Sequence, residues 1–266
     1  MFSSLRLIRQ LHAATQRPDA SLRASIVVTD AQLKAAKALH ARVFLDRGYV
    51  RASDLVDGGK AIGPAEDPYQ THATYFVVER LQPQGRVVVA TARLIHATPQ
   101  LKHNSFQTLV NQRLNQSQLT YLQSLDPARC VEVSGLVKAK GESTFAVMML
   151  YRAMWQYSIV RGYKLWLMSC DEGLYRKLKT LFGDTLVAIG RPTFFKGHHV
   201  VPAMLELDHS IGQLLSLSRY NVVKRQAQMI LARFFLHGLP ASCLHPEHHN
   251  QLRNHNIKAQ LANSHE

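Results

Sequence analysis

Residues 131–144 read VEVSGLVKAKGEST, and the change of character along this stretch decides the fold. Its first half has the apolar alternation of a strand; its second half meets Lys138, Lys140 and Gly141 and stops at Ser143 and Thr144. The run that follows, TFAVMMLYRAMWQYSIVRG, carries Arg152 and Arg161 as its only charges, so a helix here must be buried around most of its circumference. Strand, glycine-containing turn and capped helix start in series present unpaired backbone N–H groups at the positive end of a helix dipole. That arrangement receives an anion. Lys138 and Lys140 add charge, and Gly141 permits close backbone approach. A plain strand-to-helix turn is the structural alternative.

Upstream, SIVVT (25–29) reads as a first strand, with Asp30 capping a helix AQLKAAKALHARVFLDRG that ends at Gly48. Residues 49–72 are polar and rich in Gly and Pro, as suits a loop over a site. TYFVVER (74–80) and RVVVATARLI (86–95) form a hairpin through Gln82-Pro83-Gln84-Gly85, and a Gln- and Asn-rich stretch with short helices leads from 97 to 128. Downstream come a strand KLWLMSC (164–170), a helix DEGLYRKLKTLFG ending at Gly183, and a closing pair of strands in TLVAIG and HHVVPAMLEL. The domain plan is a basic segment over 1–24, a domain over 25–208, an amphipathic basic helical extension over 209–238, and a His-rich tail over 239–266 expected to be disordered.

Thirty-two Lys and Arg against eighteen Asp and Glu give a net charge of +14, which favours anionic partners without choosing among them. No helix-turn-helix, zinc or RNA-binding motif accompanies the charge, so nucleic acid ranks last; the histidine spacings fit no zinc pattern. Three cysteines, too far apart for a CxxC site, suit a reducing compartment, and no apolar run is long enough to cross a bilayer. A cytoplasmic protein is expected, with its basic ends suited to the anionic inner face of a membrane.

The element order and the 131–144 junction resemble the GNAT acyltransferases, with Lys138-x-x-Gly141-x-Ser143 in register with that family's pyrophosphate loop. A narrower resemblance covers most of residues 35–207. Arg42-x-Phe44 with Arg47-Gly48-Tyr49, Asp67-Pro68-Tyr69-Gln70 ahead of Tyr75-Phe76, Ala90-Thr91-Ala92-Arg93-Leu94, and Glu132-Val133-Ser134 are similar, in order, to motifs of acyl-homoserine-lactone synthases and bacterial N-acyl amino acid synthases. LYRKLKTLFG, VAIGRPTFFKG and Pro202 resemble the second group more. Gln70 stands where both groups usually have a second acid, and Gly135 where they usually have an arginine. The resemblance implies an α+β fold, an α/β/α sandwich with a mixed, mostly antiparallel sheet, a buried helix after a splayed fourth strand, and extra basic C-terminal helices.

It also implies transfer of a long fatty acyl group from acyl carrier protein, which is acidic, or from coenzyme A, onto an amino acid or similar small amine. No tightly bound cofactor is implied. Attack of an amine on a thioester needs a base, oxyanion donors and a fixed approach. Glu132, an acid within an apolar strand, is the candidate base, directly or through water. Arg93 pairs with Glu132 or holds a substrate carboxylate, and backbone N–H groups from Ser134 to Leu136 face the oxyanion. Asp67 and Tyr69 line the acceptor pocket, with Arg42 and Phe44 on the helix packed beneath; Gly135 leaves room for an acyl chain. Leu136, Lys138, Lys140, Gly141, Ser143 and Thr144 bind the donor. Met148, Met149 and Trp155 wall an acyl tunnel or pack the core. Two other readings stay open: an S-adenosylmethionine-using autoinducer synthase, and an inactive module of the same fold binding anionic membrane or nucleic acid.

Overall fold

The computed structural model describes residues 21–51, 67–99, 101–102, 106–110, 112–195, 198–216 and 222–244. Strands β1 (Leu22–Ile26), β2 (Ala73–Gln82), β3 (Gly85–His96), β4 (Cys130–Lys138), β5 (Leu165–Asp171), β6 (Leu186–Ala188), β7 (Thr193–Phe195) and β8 (His198–Glu206) form one sheet. Its order is β1-β2-β3-β4-β5-β8-β6, with β7 paired to β8. Every described pairing is antiparallel except β4 with β5. The helices are α1 (Asp30–Asp46), α2 (Gln107–Val110), α3 (Gln116–Ser124), α4 (Thr144–Val160), α5 (Glu172–Phe182), α6 (Leu207–Leu215) and α7 (Val222–Leu236).

Strand alternation sorts the core into two clusters, one on each side of the sheet. Val131, Val133, Trp166 and Met168 pack with Leu150, Met154, Leu178 and Phe182 of α4 and α5. Ile95, Cys130, Leu165 and Leu167 point the other way and pack with Phe106, Leu122 and Ile189. The result is the expected α/β/α sandwich. The apolar run after the glycine turn is helix α4, in which Ala146, Met148, Leu150, Tyr151, Met154, Trp155 and Ser158 are buried.

Three details of the sequence reading shift. The first strand starts earlier, at Leu22, where Ala24 and Ser25 find partners in Val78 and Val77. Thr29 rather than Asp30 caps α1, because its side chain accepts from the Gln32 amide at 3.2 Å while Asp30 is already helical. A third late strand, β7, pairs with β8 through Thr193↔Val200. The extension past 208 joins the main core: Ile211, Leu215, Leu231, Phe234 and Phe235 belong to the α4 cluster. Both tryptophan N–H groups are satisfied there, Trp155 by Ser210 at 2.9 Å and Trp166 by Ser158 at 2.8 Å. Residues 1–20, 52–66 and 245–266, which hold most of the N-terminal basic segment, much of the polar loop and most of the His-rich tail, lie outside the described residues.

Candidate active site

The site is laid out by the parting of β4 and β5. Their parallel ladder runs Cys130↔Leu165, Val131↔Trp166, Glu132↔Leu167, Val133↔Met168 and ends there. Beyond it β4 stays with β3, through Thr91↔Val137 and Ala90↔Lys138, while β5 stays with β8. One further step of the ladder would have set Ser134 opposite Ser169; instead the two serines flank a fork.

A bulge sits at the fork. Arg93 pairs with Ser134 and Thr91 with Val137, so β4 carries one residue more than β3 over this step. Gly135 takes up the excess with φ +64°, a left-handed backbone that side-chain-bearing residues rarely adopt. The bulge re-aims position 135: Val131 and Val133 face α4, yet a Cβ on Gly135 would lie 3.4 Å from the His40 ring of α1 and 3.9 Å from Arg93 Cγ, on the opposite face. The expectation that Gly135 leaves room for an acyl chain is therefore corrected, since His40 occupies that space.

Register brings the polar residues into a row. Tyr75 pairs with Arg93 and Arg93 with Ser134, while Glu132 lies one row further along opposite Ile95. Arg93 Nη1 donates to Asp67 Oδ2 and, at 3.0 Å, to the Tyr75 hydroxyl. Its guanidinium carbon lies 5.7 Å from the Tyr75 ring centroid and 6.0 Å from that of Tyr69. Asp67 in turn accepts from the Tyr69 amide at 3.2 Å, an Asx turn that fixes the segment before the helical turn Gln70–His72. Arg93 thus pairs with Asp67, not with Glu132 as one reading of the sequence held. Its Nε is buried with no hydrogen-bond partner among the described residues, which leaves one donor unspent at the site. Gln70, where a second acid is usual, accepts from the Lys37 ammonium of α1.

Glu132 is 2 % exposed, and its carboxylate is held by α2. Oε2 accepts from the Gln107 amide at 2.8 Å; Oε1 accepts from the Thr108 amide at 2.8 Å and the Thr108 hydroxyl at 2.6 Å. Burial raises its pKa above the ordinary carboxylate range, and the bonds from Thr108 and Gln107 and the charge of Arg93 only partly offset this. The Tyr69 phenol is likewise raised, first by burial and then by the negative charge of Glu132, so the two groups sense one another across the site.

The donor loop carries an anion of its own. Arg80 of β2 clamps Glu142 with two bonds, Nε to Oε1 at 3.0 Å and Nη2 to Oε2 at 2.8 Å. Lys138 Nζ donates to the Glu142 carbonyl at 2.7 Å, Lys140 is exposed, and Gly141 has φ +85° with open space around it. Ser143 is the N-cap of α4 by position, with no side-chain capping bond, and Thr144 opens the helix. Leu136 packs against the α4 cluster.

Of the remaining candidates, Arg42 is exposed on α1. Phe44 belongs to a file of edge contacts that runs from His40 through Phe44 and Tyr49 to His198, with centroids 4.0, 5.0 and 4.6 Å apart. Trp155 is core rather than tunnel wall: it is fully buried between Ser210 and Phe235. Met148 is buried in the same cluster and Met149 half-buried against it. Burial pushes the Cys130 thiol up to about 11 and the Cys170 thiol up to about 12, so neither suits a nucleophile. Sequence reasoning missed Tyr75 as a site residue, and Thr108 and Ser169 altogether.

Comparison with known proteins bears on the fold. The acyl-homoserine-lactone synthase LasI superposes with a TM-score of 0.51 at 15% identity, over 70% of this chain and 90% of that one. The chain has the fold of the acyl-homoserine-lactone synthases. The CoA-dependent acyl-homoserine lactone synthase BjaI, solved with SAM and isopentyl-CoA, also gives 0.51, at 13% identity over 80% of this chain and 89% of that one. FeeM, an N-acyl amino acid synthase from uncultured soil microbes, gives 0.49 at 16% identity over 72% and 95%. No family model and no curated protein matches the sequence. The GNAT-like sandwich expected from residues 131–144 is the fold found.

Proposed function

We propose that the chain is an N-acyltransferase that moves a fatty acyl group from a thioester of acyl carrier protein or coenzyme A onto the amine of an amino acid or similar small molecule. The observation that carries this reading is the row at the fork, where a buried carboxylate, Glu132, stands beside Arg93, Asp67, Tyr69 and Tyr75 at the point where β4 loses its β5 partner. The parted strands leave space for a pantetheine arm. Backbone N–H groups of β4 from Ser134 to Leu136 that point to the β5 side, no longer laddered there, serve the oxyanion of the tetrahedral intermediate. Arg93, held in place by Asp67 and Tyr75, is the cation for the carboxylate of an amino-acid acceptor, and Tyr69 and Tyr75 shape the pocket around it. Lys138, Lys140, Gly141, Ser143 and Thr144 receive the donor's phosphate, and the chain's positive charge suits acidic acyl carrier protein. Glu132, with its raised pKa, accepts the amine proton.

Lactone formation from S-adenosylmethionine, the chemistry suggested by the fold's autoinducer synthases, is the second reading; LYRKLKTLFG, VAIGRPTFFKG and Pro202, which resemble the N-acyl amino acid synthases more, weigh against it. Mass spectrometry of lipid extracts from bacteria expressing the chain or its Glu132→Gln form tests the proposal. N-acyl amino acids present only with the intact chain are expected. Homoserine lactones in their place would favour the second reading, and an unchanged lipid profile from folded protein would contradict both.

A further inference from the structure

Glu132 is the candidate base, yet among the described residues no hydrogen bond joins its carboxylate directly to the row at the fork. It is 2 % exposed, Thr108 is 0 % exposed, and among the described residues the three bonds that Glu132 accepts come from α2. Its link to the fork runs through hydroxyls. Ser169 Oγ donates to Thr108 Oγ1 at 3.1 Å, and Thr108 Oγ1 donates to Glu132 Oε1 at 2.6 Å. Ser169 is exposed and is the first residue of β5 past the last β4–β5 pair. It shares a sheet face with Leu167, and so with Glu132.

We propose that Ser169 and Thr108 form a proton relay between the reacting amine at the fork and the buried carboxylate of Glu132, an inference that rests on the acyltransferase reading above. Both hydroxyl hydrogens are already directed toward Glu132, which leaves a lone pair of Ser169 Oγ free to accept from an amine N–H. As the amine nitrogen bonds to the thioester carbon, its N–H bond breaks and the proton passes to Ser169. Ser169 hands its own proton to Thr108, and Thr108 hands its own to Glu132. Each hydroxyl loses one proton as it gains one, so the net change of this step is an amine proton moved onto the carboxylate, with the carbonyl π pair placed on the oxyanion. When the adduct collapses, that pair re-forms the C=O bond, the C–S bond breaks, and the departing thiolate takes the proton back from Glu132 through the same hydroxyls, which frees the donor as its thiol and restores the base. Burial then has a function: the base is kept from bulk water and its pKa is raised towards working pH, while Ser169 meets the substrate. Ser169 would be the residue that touches substrate; Thr108 is a positioning residue that acts through its neighbours.

The test uses purified full-length protein with palmitoyl-loaded acyl carrier protein and a mixture of amino acids as probes. Ser169→Ala and Thr108→Val are expected to lower kcat about a hundredfold with KM little changed. Thr108→Ser, which keeps the hydroxyl, is expected to retain most of the activity. In Ser169→Ala the acidic limb of the pH profile should lose the break that belongs to Glu132 and follow ionisation of the amine alone, with a shallower slope at low pH. Wild-type kcat and an unchanged acidic limb in Ser169→Ala would overturn the relay. So would a loss in Thr108→Val that Thr108→Ser fails to restore with the limb intact, the mark of a packing role. If Thr108→Val does not fold, the exposed Ser169→Ala carries the test alone. An inactive, folded wild-type protein would instead overturn the acyltransferase reading.

Discussion

At position 135 a glycine follows Ser134 where an arginine is usual, and the backbone explains it. With φ +64° the residue is the left-handed member of a bulge, and His40 closes the space a side chain would enter. Gly135→Ala is expected to cost about 1–2 kcal/mol for the left-handed backbone, read from the midpoint of urea unfolding. An unchanged midpoint would mean that the bulge relaxes freely. Glu132, Arg93 and Asp67 could be picked out of the sequence because a charge within or beside apolar strand residues is conspicuous. Thr108 and Ser169 could not. They are neutral, ordinary in their local patterns, and reach Glu132 only through separations of 24 and 61 residues, which no window along the chain covers. The Asp67 pairing of Arg93 was equally hidden, because it depends on where the segment before Gln70–His72 crosses the sheet.

Among the elements, the β4-turn-α4 unit was the most legible, since strand period, glycine, hydroxyl cap and an almost uncharged helix all point the same way. Its electrostatics were not, because Arg80 lies 62 residues from the Glu142 it clamps. The Glu142 carboxyl is held below the usual carboxylate range, chiefly by its hydrogen bond from Arg80; burial opposes this, and the Arg80 charge adds a smaller lowering effect. A depressed folded-state pKa contributes stability that is present above the unfolded value, about 4.3, and is lost as pH falls through the folded one. Arg80→Gln is therefore expected to lower stability at neutral pH and to flatten the fall below about pH 4.3. Thermal unfolding across that range checks it, and parallel curves for the two proteins would contradict the pairing.

Across the whole molecule, the C-terminal helices are part of the fold rather than an appendage. Phe235 is fully buried against Trp155 and Phe182, while Arg152 and Gln156 of α4 donate to the carbonyls that end α7. Phe235→Ala is expected to cost about 3–5 kcal/mol, and a cost under about 1 kcal/mol would show that α7 is loosely attached. The sequence marked this region as amphipathic and basic but did not show which face it covers, because α4 is apolar almost all round and offers no unique seat. Among the described residues no helix is long and apolar enough to cross a membrane. The account turns on thioester aminolysis at the fork of β4 and β5. Its most direct test is thiol release from palmitoyl-loaded acyl carrier protein by the purified chain, with and without amino acids, beside the Glu132→Gln variant. Release that requires an amino acid, yields one amide per thiol and is lost in a folded Glu132→Gln protein is the predicted result. Release that ignores the amino acid, or persists undiminished in the variant, would contradict it.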